Sequence, residues 1–159
     1  LIEDIDVAPI SEALRVAAID RLEQLAEGEA LSHGDLHPAN LIVTAQGLMV
    51  IDWSRAACAA PATDLVRSEM LMRFGPAQAG HWWEAPVRDM ASGYYMWRYR
   101  RLSGMDRAAL AAWRPLVALA WLRQRLPGRD VAFRAYVEDG LAIAGLPPLD
   151  DDMSLVAPG

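Results

Sequence analysis

Residues 33–53 read HGDLHPANLIVTAQGLMVIDW. This stretch sets Asp35, Asn40 and Asp52 around two apolar runs, Leu41-Ile42-Val43 and Leu48-Met49-Val50-Ile51, separated by Thr44-Ala45-Gln46-Gly47. Short runs rich in β-branched residues on either side of a Gly-containing turn predict a hairpin over 41–51. A hairpin returns the chain to its starting point, so Asp52 is expected to emerge beside Asn40, where two oxygen donors far apart in sequence can serve one ion. Asp35 and Asn40 share a short loop stiffened by Pro38. The unbroken apolar runs predict strands buried on both faces, a rigid base for that loop.

Two carboxylates and an amide gathered in this way suit phosphoryl transfer. One carboxylate orients or deprotonates an acceptor hydroxyl, while the amide oxygen and the second carboxylate hold magnesium on the phosphates. Magnesium prefers hard oxygen ligands, which Asn and Asp supply. Each residue also has a plainer use: Asp35 as a turn residue, Asn40 as a strand-start cap and Asp52 as a helix cap.

HGDLHPAN resembles the catalytic loop of the kinase-like fold, whose protein-kinase form is H-R-D-x-x-x-x-N. Gly34 in place of the Arg is similar to the aminoglycoside phosphotransferase and choline kinase branch. Ile51-Asp52-Trp53 stands where protein kinases have D-F-G, with Trp53-Ser54 replacing Phe-Gly. The continuation Pro61-Ala62-Thr63-Asp64-Leu65 resembles the D-P-A-x-D-L/V segment of bacterial phosphotransferases, although Ala60 departs from the leading Asp. The resemblance implies Asp35 as the catalytic base or hydroxyl-orienting group, Asn40 and Asp52 as magnesium ligands that also hold the nucleotide, and His37 near the γ-phosphate or in a solvent-facing or packing role. It implies a bracing role for His33 and a structural role for Asp64, capping the next helix or bracing the catalytic loop, and leaves Arg55 between a phosphate and a carboxylate partner. The implied cofactors are Mg2+ and ATP or GTP. The implied acceptor is a small-molecule hydroxyl, which the sequence does not name.

Composition bounds the alternatives. The 159 residues are 53% hydrophobic, enough for a globular domain with a real core. No apolar run approaches bilayer length, and the start Leu1-Ile2-Glu3-Asp4 lacks a basic, apolar leader. The single Cys58 cannot form an internal disulfide, so a cytoplasmic location is expected. A net charge of −6 argues against nucleic acid and anionic membrane as partners. All 15 basic residues are Arg. Kinase-like enzymes grip nucleotide with a Lys and a Gly-rich loop on a small lobe, and neither feature occurs here. The expected fold is therefore mainly α with a small β-hairpin: the large, C-terminal lobe of the kinase-like fold, with the small lobe absent. A missing N-terminal lobe is the expected partner, and the chain alone is expected to be a fragment with little activity. Two other readings stand beside this one. One is a non-catalytic remnant or binding module that keeps the lobe. The other is a metal-dependent hydrolase using His33, Asp35 and His37.

The expected lobe spans 1–146: an extended lead-in over 1–10, a helix over 12–27 capped by Ser11 and ended by Gly28, the catalytic loop 33–40, the hairpin 41–51, and the metal-binding Asp segment 52–65, in which 54–61 is a loop. The helical acceptor region covers 66–146. Its helices are expected from Thr63 or Asp64 to Phe74, over 79–101, over 107–126 with Pro115 inside, and from Asp130 to Ala144. A tail follows over 147–159. Aromatic residues crowd the helical region and are usually core. Glu84, Asp89, Glu138 and Asp139 are candidates for meeting a cationic acceptor, and Arg98, Arg100 and Arg101 read as an exposed helix face.

Overall fold

The computed structural model describes residues 1–26, 28–75, 81, 83–122 and 130–150. The expectations for 123–126, for the helix start at 79 and for the tail beyond 150 lie outside them. The described residues are mostly helical, with two small antiparallel ladders, and they divide into two compact units.

The first unit comprises Leu1–Ala26 and Asp106–Gly159. Its start is not extended: α1 spans Ile2–Asp6. Ile5 is completely buried and α1 packs on helix α5 (Arg107–Trp121), so tertiary contact supplies what so short a helix lacks. Glu3 and Asp4 complement its N-terminal dipole. Helix α2 (Glu12–Glu23) begins where Ser11 Oγ accepts from the Leu14 N–H, as its sequence predicts. It buries Leu14 and Ala18 and ends before the predicted Gly28. Arg15 binds the α1–α2 turn, donating to the carbonyls of Ile5, Ala8 and Ile10 at 3.3–3.4 Å. Helices α5 (Arg107–Trp121) and α6 (Asp130–Ala144) pack together. Their core holds Leu116, Leu119, Val137 and Leu141 with Trp121, Phe133 and Tyr136, so these aromatics are core residues.

The second unit comprises Glu27–Met105. Strands β1 (Ala30–Ser32) and β4 (Ala57–Ala59) pair antiparallel, where a plain loop was expected over 54–61. Gly28 serves this approach: a Cβ there would collide with the backbone of Ala59 and Ala60. Strands β2 (Leu41–Thr44) and β3 (Gly47–Val50) form the predicted hairpin, with Leu41 opposite Val50 and Val43 opposite Leu48. Its strands are not buried on both faces. Val43 and Leu48 on one face, and Ile42 and Met49 on the other, are all exposed. Among the described residues the hairpin is a ladder of two strands. A continuous apolar run makes a strand fit to be covered; it does not supply the cover.

Helix α3 (Pro61–Phe74) starts earlier than predicted because Pro61 takes its first position, where a missing N–H costs nothing. Helix α4 (Glu84–Ser103) stops at Gly104, whose φ of 71° is left-handed. The two helices pack together. Arg88 of α4 reaches the end of α3 and donates to the carbonyls of Met72, Leu71 and Gly75 at 2.6, 3.1 and 2.7 Å. One guanidinium thus satisfies carbonyls that a helix end leaves orphaned and places a cation at its negative pole.

Candidate active site

The 33–40 loop of the second unit is held by hydrogen bonds rather than by a buried base. Asp64, in the first turn of α3, accepts from the backbone N–H of His33 at 2.9 Å and of Gly34 at 2.7 Å. One carboxylate anchors two successive amides, a charge-assisted arrangement. Gly34 has φ 75°, and a Cβ there would press on the Arg55 carbonyl. Both facts explain why an L side chain is excluded at this position.

His33 is buried and uses both ring nitrogens inside the loop. Its Nδ1 accepts from the Asp35 N–H at 3.2 Å, which fixes the proton on Nε2 for donation to the Ile51 carbonyl at 2.9 Å. Neither nitrogen is left for a metal. Among the described residues no cluster of three His, Cys, Asp or Glu has metal-holding geometry. The hydrolase reading therefore loses a member of its ligand set.

Asn40 is buried and its amide Nδ2 donates to the Asp35 carbonyl at 2.8 Å. The Asp35 backbone is thus gripped on both sides, from His33 and from Asn40, while its carboxylate stays partly exposed. His37 Nε2 lies 3.9 Å from Asp35 Oδ2, an ion pair only when the imidazole is protonated. The Asn40 carbonyl accepts from the Ile51 N–H at 3.0 Å, one residue beyond the hairpin ladder. The loop and the strand that precedes Asp52 are therefore joined twice, through Asn40 and through His33. This brings together the segments carrying Asp35, Asn40 and Asp52, with Asn40 Oδ1 the free end of its amide.

Asp52 has φ 58°, the one positive φ outside glycine among the described residues. Such a conformation is uncommon for a residue with a side chain and persists only where the surroundings enforce it. The enforcing contacts are local and were not foreseen from the sequence. Ser54 donates its Oγ–H to Asp52 Oδ1 at 2.6 Å, and its N–H reaches the same oxygen at 3.4 Å. Trp53 donates its indole N–H to the Val50 carbonyl at 3.1 Å and sets its ring 4.7 Å from that of His33. The Asp-x-Ser spacing is the signal that could have revealed this turn. Both Ser54 contacts fall on Oδ1, which leaves Oδ2 without a bond from Ser54. Two oxygen donors, one ionised and held in a strained conformation, suit a hard divalent cation.

The Ser54 hydroxyl, then its amide, hold the Asp52 carboxyl below the ordinary value of 3.8. A carboxyl depressed by folding stabilises the fold fully above that ordinary value, and the contribution is lost as pH falls through the lower, folded value. Ser54→Ala is expected to move the Asp52 pKa upward towards 3.8, with Ser54→Thr restoring the depression. Carbon-13 NMR titration of the carboxyl reads the shift, and an unmoved pKa would refute the turn's role.

The candidate acceptor carboxylates are mostly paired with arginines. Glu84 pairs with Arg88 at 3.4 Å, Asp89 with Arg73 at 3.2 Å and Glu138 with Arg134 at 2.7 Å, while Asp139 is exposed. Cys58 is exposed on β4, and no helix among the described residues is long and apolar enough to cross a membrane.

A family model described as APH, phosphotransferase enzyme family, matches residues 4–95, more than half of the chain. The chain belongs to this phosphotransferase family. The matched span runs from α1 into α4 and contains the whole Asp35–Asp52 segment. No curated protein and no solved structure matches the chain. Phosphoryl transfer in general is therefore the chemistry of the family to which this site belongs.

Proposed function

We propose that this chain is the large lobe of a kinase-like phosphotransferase that moves the γ-phosphate of ATP or GTP to the hydroxyl of a small molecule. The observation that carries the reading is the double link of Asn40 and His33 to Ile51, which sets the Asp52 turn against the Asp35 loop. Asp35 accepts a hydrogen bond from the acceptor hydroxyl and takes its proton as that oxygen bonds to the γ-phosphorus. The bond from phosphorus to the bridging oxygen breaks, and the nucleoside diphosphate leaves. Asn40 Oδ1 and the Asp52 carboxylate would hold magnesium, which when bound offsets charge on the phosphates. His37, near Asp35, would donate a ring N–H to a phosphate oxygen. Gripping of the nucleotide is assigned to residues beyond this chain, because none of its 15 basic residues is Lys and no G-x-G-x-x-G occurs in it. The same absence favours the second reading, a lobe that binds without catalysing.

The cation role can be tested on the chain itself. Manganese, as a paramagnetic stand-in for magnesium, is expected to broaden the NMR signals of the Asn40 side-chain amide and the Asp52 backbone amide selectively. Asp52→Ala should abolish the effect at Asn40. Broadening confined to other acidic residues would sink the assignment. For the chain alone, calorimetry with ATP and magnesium should find weak binding; micromolar affinity would show that no further lobe is needed.

A further inference from the structure

Helix α4 has two faces with different surroundings. One buries Ser92 and Met96, with Ser92 Oγ donating to the Glu69 carbonyl of α3 at 3.5 Å and Arg88 reaching the end of that helix. The other carries Trp83, Val87, Met90, Tyr94, Trp97 and Arg101, alternately four and three residues apart. Its five large apolar members are each between 45% and 70% exposed. Single exposed apolar residues are ordinary, but a continuous stripe along a whole helix marks an interface. A 4-3 alternation is the seam of a two-stranded helical pair, so the shape complementary to this stripe is another helix.

The charge pattern selects which helix. Glu84 lies at the N-terminal end beside the seam, and Arg98 and Arg101 lie at the C-terminal end. A second α4 laid parallel would set arginine against arginine. Laid antiparallel, it separates the two arginine ends and sets Trp83 beneath the other Arg101. The latter repeats a contact that the chain already makes internally, Arg101 over Trp97 at 5.6 Å. Glu84 takes no part in the seam, because its carboxylate is turned inward and pairs with Arg88 of its own chain at 3.4 Å. Val87 then meets Trp97, and Met90 meets Tyr94, about a two-fold axis level with the middle of the helix, on the face opposite the buried Ser92. Gly93 supports this centre. A Cβ added there meets nothing within 4 Å, so its own chain does not require glycine at a position where glycine weakens a helix. Glycine there leaves room for a close neighbour across the axis.

We propose that α4 is a self-association surface, along which two copies of this chain pair antiparallel through the Trp83–Arg101 seam. The proposal is independent of the phosphotransfer reading. Sedimentation or light scattering of the chain over a wide concentration range should give twice its 17.5 kDa mass. Tyr94→Glu places two carboxylates at the centre and should weaken the dimer about a hundredfold, leaving circular dichroism unchanged. Leu102→Glu, exposed but off the seam, should leave it intact. With Cys58 replaced by Ser, chains carrying Val87→Cys should cross-link to chains carrying Trp97→Cys, and not to their own kind. A wild-type monomer throughout overturns the proposal. So does a dimer that survives Tyr94→Glu, or one lost instead on Val43→Glu, which would point to the apolar hairpin. Cross-linking of each cysteine chain only to itself would reject the antiparallel register.

Discussion

Asp35→Asn is expected to slow phosphoryl transfer by about 10²- to 10⁴-fold, the range typical for loss of a general base. The experiment is a steady-state assay with labelled nucleotide, with the nucleotide-binding lobe supplied. Asn keeps an oxygen that can accept from the acceptor hydroxyl, but it cannot take the proton. The substitution should spare the fold, because the loop is built on the Asp35 backbone: its N–H bonds His33 and its carbonyl bonds Asn40. Circular dichroism and thermal midpoint should match the parent. Turnover within about twofold of the parent would remove Asp35 from the chemistry.

Asp64→Ala carries the largest expected effect on stability. The N–H groups of His33 and Gly34 both lose their acceptor. Hydrogen bonds to a charged group contribute about 1.5–3 kcal/mol each, and partial exposure of Asp64 reduces this, so a loss of about 2–4 kcal/mol is expected. Against a typical stability of about 5–15 kcal/mol that is a large share. Urea denaturation measures the loss, and amide exchange at His33 and Gly34 should accelerate with it. Asp64→Asn keeps one accepting oxygen and should fall between the two. An unchanged denaturation midpoint in Asp64→Ala would mean that the loop is held by other contacts.

Much of the second unit is legible in the sequence because its signals are local. The hairpin register follows from two apolar runs and a Gly-containing turn, and Gly75 and Gly104 each follow a helix directly. Asp64 could be anticipated as a loop brace through the resemblance, but the partition of its two oxygens between His33 and Gly34 could not. Strands β1 and β4 are three residues each and made largely of small side chains, so no periodicity announces them. Helix α1 depends on docking Ile5 against α5, a long-range contact that no window of five residues contains. Exposure of the hairpin is illegible for the opposite reason. The residues that would cover Val43 and Leu48 are not written in the strands themselves. The Asp52 turn lay between these cases: Ser54 two residues on was visible, but its hydroxyl becomes informative only once φ at Asp52 is known.

Arg88 has a further consequence for α4. Its planar fork bonds three carbonyls of the 71–75 turn, so α4 cannot roll about its own axis or slide by one residue without breaking all of them together. The guanidinium is a rotational key. It sets the azimuth of α4, and so fixes the direction in which Tyr94 and Trp97 look on the opposite side. A lysine, offering a point charge on a swivelling stem, would tolerate a range of settings. In this chain, a residue on the inner side of a helix determines where its outer side is aimed.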